Sequence, residues 1–388
     1  MVVGVPEGIS VSDWAHFGAT ATFHGNVGIT GSLTVGATLT VSGGGVFGAT
    51  VTTRILNTVR YINQYATAGT GISGSPWTGW ESGLVEGIPC HFPSGYYSTA
   101  GTSVGVTLTN TTSRTRITGD GSGSSIITIT GGTGQFRIYG SGAGTRVLQS
   151  VHIDGLNITA GANNSSAGIF SVENLDAGSY VGDILVDGTS TFGITTAIQV
   201  LNCENCNFGM LTARGWAPTP GAAGNIATGL NITTDDGIQR GNMNFAQCHL
   251  TNVARGLSIS SSGGSLDNLF FGVMKAVNSS LVSGTTAVSM AGNAEQITFG
   301  DLHIEAFGFG LIATSVENLT VVNGLVSQIS GTAFKITNGD GGRILCRLNG
   351  TSGGYLLDGT TTRYIIQQGT VSGVTTHYTD SSSGANLL

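Results

Sequence analysis

The sequence predicts an all-β protein: a single-stranded parallel β-helix preceded by a hexad-repeat β stem. Three observations carry this. Glycine supplies 64 of 388 residues, while only 9% are Asp, Glu, Lys or Arg. Apolar residues recur every six positions through residues 17–53. From residue 146 onward, a four-point apolar pattern returns at intervals of about 20 to 37 residues.

The composition first removes the other classes. An ordinary soluble domain is about 25% charged. Collagen is excluded by six prolines and no glycine period of three. Disorder is excluded by a 39% hydrophobic fraction with little charge, and the mean hydropathy is +0.21. No run of about 18 apolar residues offers a membrane-spanning helix, so no membrane insertion is expected. Glycine, Thr and Ser are poor helix formers, which argues against a helical bundle. The net charge is −7 and the only lysines are Lys275 and Lys335, so nucleic-acid binding through phosphate contacts is not expected. The N-terminal Met-Val-Val-Gly-Val-Pro has no basic n-region and no apolar h-region, so no secretory signal is expected. Five cysteines form no disulfide framework. Cys203-Glu-Asn-Cys206 has C-x-x-C spacing without a second pair for zinc, and Cys206 falls on an inward position. A packing role is expected for it, and no metal or cofactor.

In the stem, Phe17, Phe23, Ile29, Val35, Val41 and Phe47 keep a strict period of six, and Val27, Leu33, Leu39 and Val51 precede the same position by two. Residues two apart face one side of a strand. A six-residue strand-turn unit cannot bury that side alone, so it must stack or trimerise. Residues 25–36, Gly-Asn-Val-Gly-Ile-Thr-Gly-Ser-Leu-Thr-Val-Gly, resemble the hexad stems of phage tail fibres.

Residues 54–98 concentrate Tyr61, Tyr65, Trp77 and Trp80. Ile55, Val59 and Ile62 are spaced for a short helix that would plug the open end of a solenoid. Then follow Gly87-Ile-Pro-Cys-His-Phe-Pro-Ser-Gly-Tyr-Tyr97 and Arg116-Ile-Thr-Gly-Asp-Gly-Ser-Gly-Ser-Ser-Ile-Ile127. At Phe92, Pro93, Gly95, Tyr97, Gly119 and Gly121 this order resembles the opening of the pectate-lyase-like right-handed β-helix family. Upstream it departs: the family's acidic word near the capping helix is replaced by Gly69-Thr-Gly-Ile-Ser-Gly-Ser-Pro-Trp.

The coil pattern is apolar-x-apolar-x-x-apolar-x-apolar. It begins at Val151, Ile184, Cys206, Met243, Leu269, Ile297, Leu319, Ile344 and Tyr364. Its gap fits a tight bend between two short strands. A third strand precedes most copies, as in Ile198-x-Val200, Leu230-x-Ile232 and Leu257-x-Ile259. Three strands per turn, stacked about 4.8 Å apart, make a parallel β-helix. Right-handedness is implied by the resemblance. Asp183, Asn205, Asn242, Asn268, Gln296 and Asn318 each stand just before the first apolar position. Small amides there can bond along the stack and adopt left-handed geometry. This resembles the asparagine ladder of pectate-lyase-like helices.

No Ser-His-Asp word, P-loop, H-E-x-x-H or EF-hand loop is present. Chemistry must therefore sit on a surface assembled from successive coils. Glu204 and Asp236 lie six residues after Ile198 and Leu230, with Asp235 alongside, and paired carboxylates are what glycoside hydrolysis needs. These three are the catalytic candidates, weighed against a solvated loop. His249, Lys275 and His303 share one outward position, with Glu305 two residues beyond His303; they could bind or cut a polysaccharide. Outward positions are also polar by default. Trp216 joins them as a glycan-binding candidate, because flat rings suit sugar faces. Asp154 and Asp187 are each followed by glycine and read as turn residues at one bend.

The expected organisation is 1–53, attachment and trimerisation stem; 54–98, aromatic cap and start of the β-helix; 99–375, β-helix; 376–388, polar tail. The order resembles a phage tail spike or tail fibre. The resemblance implies a homotrimer made in the host cytoplasm, joined to a phage tail or baseplate through the stem, and recognising host cell-surface polysaccharide. Two alternatives stay open: a depolymerase (hydrolase or lyase), and a non-catalytic structural virion protein.

Overall fold

A computed structural model of the chain describes residues 59–99, 101, 103–109, 114–141, 150–176 and 178–386, with the backbone of seven short strands between residues 3 and 42. The chain divides into two units, Met1–Leu56 and Asn57–Leu388.

In the first unit the strands pair in parallel at one spacing. Val3 faces Ala21 and Ala21 faces Leu39. Ser10 faces Gly28, and Trp14 faces Ser32. Each step is 18 residues, or three hexads. The period therefore returns to its own register: Phe23 lies between Val5 and Val41, and Phe17 beside Val35. Val27, Phe47 and Val51 lie outside the described residues.

The second unit is nearly all strand, in one long sheet whose ladders are parallel. It is consistent with a parallel β-helix. Successive coils are 21 residues apart where Phe334 faces Tyr355, and 37 apart where Phe208 faces Phe245. Each coil presents three sides. In one coil Val151 and Ile153 bury the first, Leu156 and Ile158 the second, Phe170 and Val172 the third. Two coils on, the same places hold Cys206 and Phe208, Leu211 and Ala213, Leu230 and Ile232. Like therefore stacks on like, and Phe208, Phe245, Phe271 and Phe299 form a buried column with centroids 4.4, 4.7 and 4.9 Å apart.

The return from the third side to the first carries a left-handed residue at both ends. Asn202 and Asn205, Gly292 and Gln296, Ser315 and Asn318, and Asn338 and Gly341 all have positive φ. Left-handed geometry costs an ordinary residue about 1–2 kcal/mol, so Asn and Gly recur there. Asn242 Nδ2 donates to Asn205 Oδ1 at 3.2 Å, and Asn205 Nδ2 donates to Asp176 Oδ1 at 2.9 Å.

Two coils take a different register from the one expected. Ile184 faces Leu156 and Leu211, so it opens the second side and not the first. Ile344 faces Val321, and Gly342 holds the place beside Leu319. In consequence Asp183 is not an amide-ladder residue: Gly178, with φ of 72°, stands just before Ser179 in that coil, Asp176 supplies the carboxylate that accepts from Asn205, and Asp183 sits at the first bend. Nor do Asp154 and Asp187 share a bend: Asp154 faces Gly182, whereas Asp187 faces Thr159. The slip arose because Ser179 fills a first-side position that apolar residues hold in most coils.

The ends close differently. Of the expected short helix, Ile55 lies outside the described residues; the described part is a single 3-10 turn, Ile62–Tyr65, that buries Ile62. Buried Trp80 meets Phe92 and Tyr97 edge-on and donates its indole N–H to Ser98 O at 3.0 Å. The Tyr97 hydroxyl donates to Pro93 O at 2.9 Å. At the other end, the segment expected as a polar tail adds a strand: Thr376–Asp380 pairs with the 353–357 stretch. Beyond it, Asn386 Oδ1 accepts the Tyr364 N–H at 3.0 Å.

Candidate functional site

The first bend of three neighbouring coils assembles an ionisable patch that the sequence reading did not find. Thr118 faces His91 on one side and Asp154 on the other, and Asp154 faces Gly182. In the neighbouring outward column Arg116 faces His152, and His152 faces Tyr180. Strand alternation turns these side chains away from the core that Ile117, Ile153 and Val181 fill.

The geometry is specific. The His152 and Tyr180 rings stack at 5.0 Å, 25° apart. The Tyr180 ring runs across Gly182 and Gly209: a Cβ on either would fall 2.2 or 2.4 Å from its hydroxyl oxygen, so only glycine permits that placement. Asp183, with φ of 45°, accepts hydrogen bonds from Ser122 Oγ at 2.7 Å and Ser122 N at 3.1 Å. Asp154 is half-buried. Burial pushes its carboxyl above the usual range, and the Asp183 charge adds to this against the opposing His152. Burial and then Arg116 hold His152 below its ordinary value. Burial, followed by the charges of Asp154 and Asp183, pushes the Tyr180 phenol up. Next door, His91 bridges Thr118 Oγ1 and Asp120 Oδ1, each at 2.9 Å.

Such an arrangement has the parts of an acid-base pair. Burial shifts Asp154 toward its protonated form, the direction a general acid needs, and the hydrogen-bonded Asp183 carboxylate lies nearby. The signal lay in the sequence at Asp154 and Asp183. Finding it required the true register of the coil that opens at Ser179.

The expected catalytic trio sits elsewhere. Glu204 and Asp236 do lie on neighbouring coils, but buried Arg240 stands between them. Its Nε reaches Asp236 Oδ2 at 3.1 Å, a second guanidinium nitrogen also bonds that oxygen, and a third lies 3.5 Å from Glu204 Oε2. Burial alone would raise Asp236; hydrogen bonds from Arg240 and the Ile238 N–H, with the Arg240 charge, hold it below the usual carboxylate range. A carboxyl held low is a poor proton donor at neutral pH. Asp235 is exposed and exchanges two hydrogen bonds with the Asn202 amide, at 2.9 and 3.0 Å.

Of the expected binding stripe, His249 faces Lys275 directly. Burial and then the Lys275 charge hold His249 below its ordinary value. His303 holds the same place one coil on, since Phe271 stacks on Phe299. Its Nε2 is 3.5 Å from Glu305 Oε2, and Glu305 Oε1 accepts from Gln328 Nε2 at 3.3 Å. Trp216 is 66% exposed at a different corner, between the second and third sides. Neither protein-family models, nor curated proteins, nor solved structures yield a match to this chain.

Proposed function

We propose that the protein is a virion tail spike or tail fibre subunit that grips host cell-surface polysaccharide. The observation that carries this reading is the surface chemistry of a long parallel sheet. One outward column carries amides and hydroxyls along the stack, Asn231, Ser258 and Ser289, beyond the buried Gln199. Such a surface suits hydroxyl-rich partners and gives phosphate-rich ones little to hold. The hexad stretch ahead of the sheet, with its 18-residue parallel pairing, supports an attachment stem. The right-handed coil sense comes from the pectate-lyase-like resemblance, and the homotrimer from the hexad stem and the tail-spike resemblance. Such a trimer would give a mass by light scattering of about 118 kDa, three times the 39.3 kDa chain.

A second reading, cleavage of the same glycan, is favoured by the Asp154–Asp183 patch. There Asp154 would give its proton to the glycosidic oxygen as that bond to the anomeric carbon breaks. Asp183 would take a proton from the water whose oxygen forms the new bond. The test is incubation with a panel of capsular polysaccharides and lipopolysaccharides, following co-sedimentation and new reducing ends. Binding without products supports the grip. Products that disappear in Asp154→Asn and persist in Asp236→Asn support cleavage at this patch. Binding to no glycan refutes both.

A further inference from the structure

We infer that a cleft at the corner between the second and third sides is a subsite for an uncharged sugar unit. This rests on the glycan-binding reading and names where, and with what chemistry, one residue of the chain would be held.

The cleft comes from three insertions at one corner of neighbouring coils. After Ala160, Asp187 and Arg214 the chain leaves the second side, and it rejoins the third at Phe170, Ile194 and Ile226. One coil further, the same corner is crossed by Asn252 alone, between the strands Gln239–Thr251 and Val253–Ser261. The tight crossing ends the cleft. Its volume is about 570 Å³, within the range of small-ligand sites.

Its lining holds no ionisable side chain. It combines the amides Asn163, Asn164 and Asn225 with the hydroxyls of Ser165, Thr191 and Thr195, over glycine and alanine. Two amides fix the walls. Buried Asn164 donates to Gly134 O at 2.8 Å, and buried Asn225 donates to Ala217 O at 3.1 Å. Asn163 is exposed and uses its carbonyl on the Gly193 N–H at 2.8 Å, which leaves its NH₂ as a donor at the mouth. Small residues at 221–223 and 227 let a ring approach the backbone. The charges nearest in sequence cancel each other, because Arg214 Nε bonds Asp187 Oδ1 at 2.9 Å where the two strands end.

Trp216 belongs to the insertion that closes the cleft. Its backbone N–H donates to Gly224 O at 3.1 Å, beside the lining residues Ala223 and Asn225. Its exposed ring is on the same insertion that supplies the lining residues Gly221, Ala222 and Ala223, and a flat ring together with neutral hydrogen-bonding groups fits the apolar face and hydroxyl edge of a pyranose. An anionic uronate would find no cation in the cleft.

Calorimetry on the full chain tests this with neutral trisaccharides of glucose, galactose, mannose and N-acetylglucosamine, and with tri-galacturonate as the anionic probe. Quenching of Trp216 fluorescence is the second readout. Ala223→Trp fills the mouth at an exposed position, and Trp216→Ala removes the ring. A neutral probe should bind the wild type, and each variant should weaken it roughly tenfold or more with unchanged melting. Failure of every neutral probe, a preference for tri-galacturonate, or equal binding by Ala223→Trp overturns the inference. If whole polysaccharide binds and Ala223→Trp is without effect, the subsite fails and the glycan-grip reading stands. If neutral trisaccharides bind here and no bacterial polysaccharide does, the subsite stands and the broader reading fails.

Discussion

Replacing Arg240 with leucine should destabilise the protein in a pH-dependent way. The guanidinium is 3% exposed and serves Asp236 and Glu204, whose side chains are 12% and 13% exposed. Removing one partner of a buried ion pair typically costs about 3–5 kcal/mol, because the remaining charge is left uncompensated. Both carboxylates keep some contact with water, which places the loss at pH 7.5 near the lower figure, about 3 kcal/mol. In the wild type Asp236 titrates below its unfolded value, so its contribution is present at neutral pH and is lost as the pH falls through the acid range. Without Arg240, burial, which raises a carboxyl, is opposed only by the hydrogen bonds that Asp236 accepts from the Ile238 N–H and the Thr234 hydroxyl. The penalty should then be smaller at pH 4.5 than at pH 7.5, because acid removes charge that Arg240 no longer compensates. Urea midpoints at the two pH values measure this, and adding Asp236→Asn and Glu204→Gln should recover at least half of the loss. A penalty below about 1 kcal/mol at pH 7.5, or one equal at both pH values, would refute the reasoning.

Asp154→Asn should raise the urea midpoint at pH 7.5 and leave it unchanged near pH 3. A carboxyl whose folded value is raised contributes stability at low pH that disappears as the pH rises through that value. His249 is held low, so folding disfavours its protonation and stability should fall as the pH drops below about 6.5. Lys275→Gln should move the His249 titration upward in NMR spectra and lessen that acid loss. Asn242, at φ of 51°, should tolerate glycine within a few tenths of a kcal/mol by urea denaturation, whereas Asn242→Val should cost about 1–2 kcal/mol.

Much of the coil scheme could be read from the residues. Met243-x-Phe245-x-x-Cys248-x-Leu250 and the copies at Leu269 and Ile297 announce two short strands and a bend, because a parallel stack needs every inward place filled. The amides before them announce the left-handed corner for an equally local reason. Reading failed where a coil broke its own pattern. Ser179 stands at an inward place, hydrogen-bonded to Asp176 O at 2.7 Å, and the apolar pattern then locked onto Ile184. That slip misassigned Asp183 and Asp187 together. It hid the Asp154–Asp183 patch and left the Glu204–Asp236 pair as the better-looking acid-base candidate.

Composition and periodicity were sufficient for the all-β class, the parallel stacking and the coil length. Each follows from which side chains a strand must bury and which residues a corner tolerates, and both are short-range demands. Tertiary structure decided which ionisable groups meet and what surrounds them. Arg240 enters between Glu204 and Asp236, Tyr180 runs across two glycines, and three insertions of unequal length open a cleft at one corner. The reason is geometric. A neighbour across the stack lies 21 to 37 residues away, and one residue of slip turns an outward side chain inward. Proton affinities depend on those neighbours and on burial, so the chemistry of Asp154 and Asp236 was set by the fold and not by the identity of the residue.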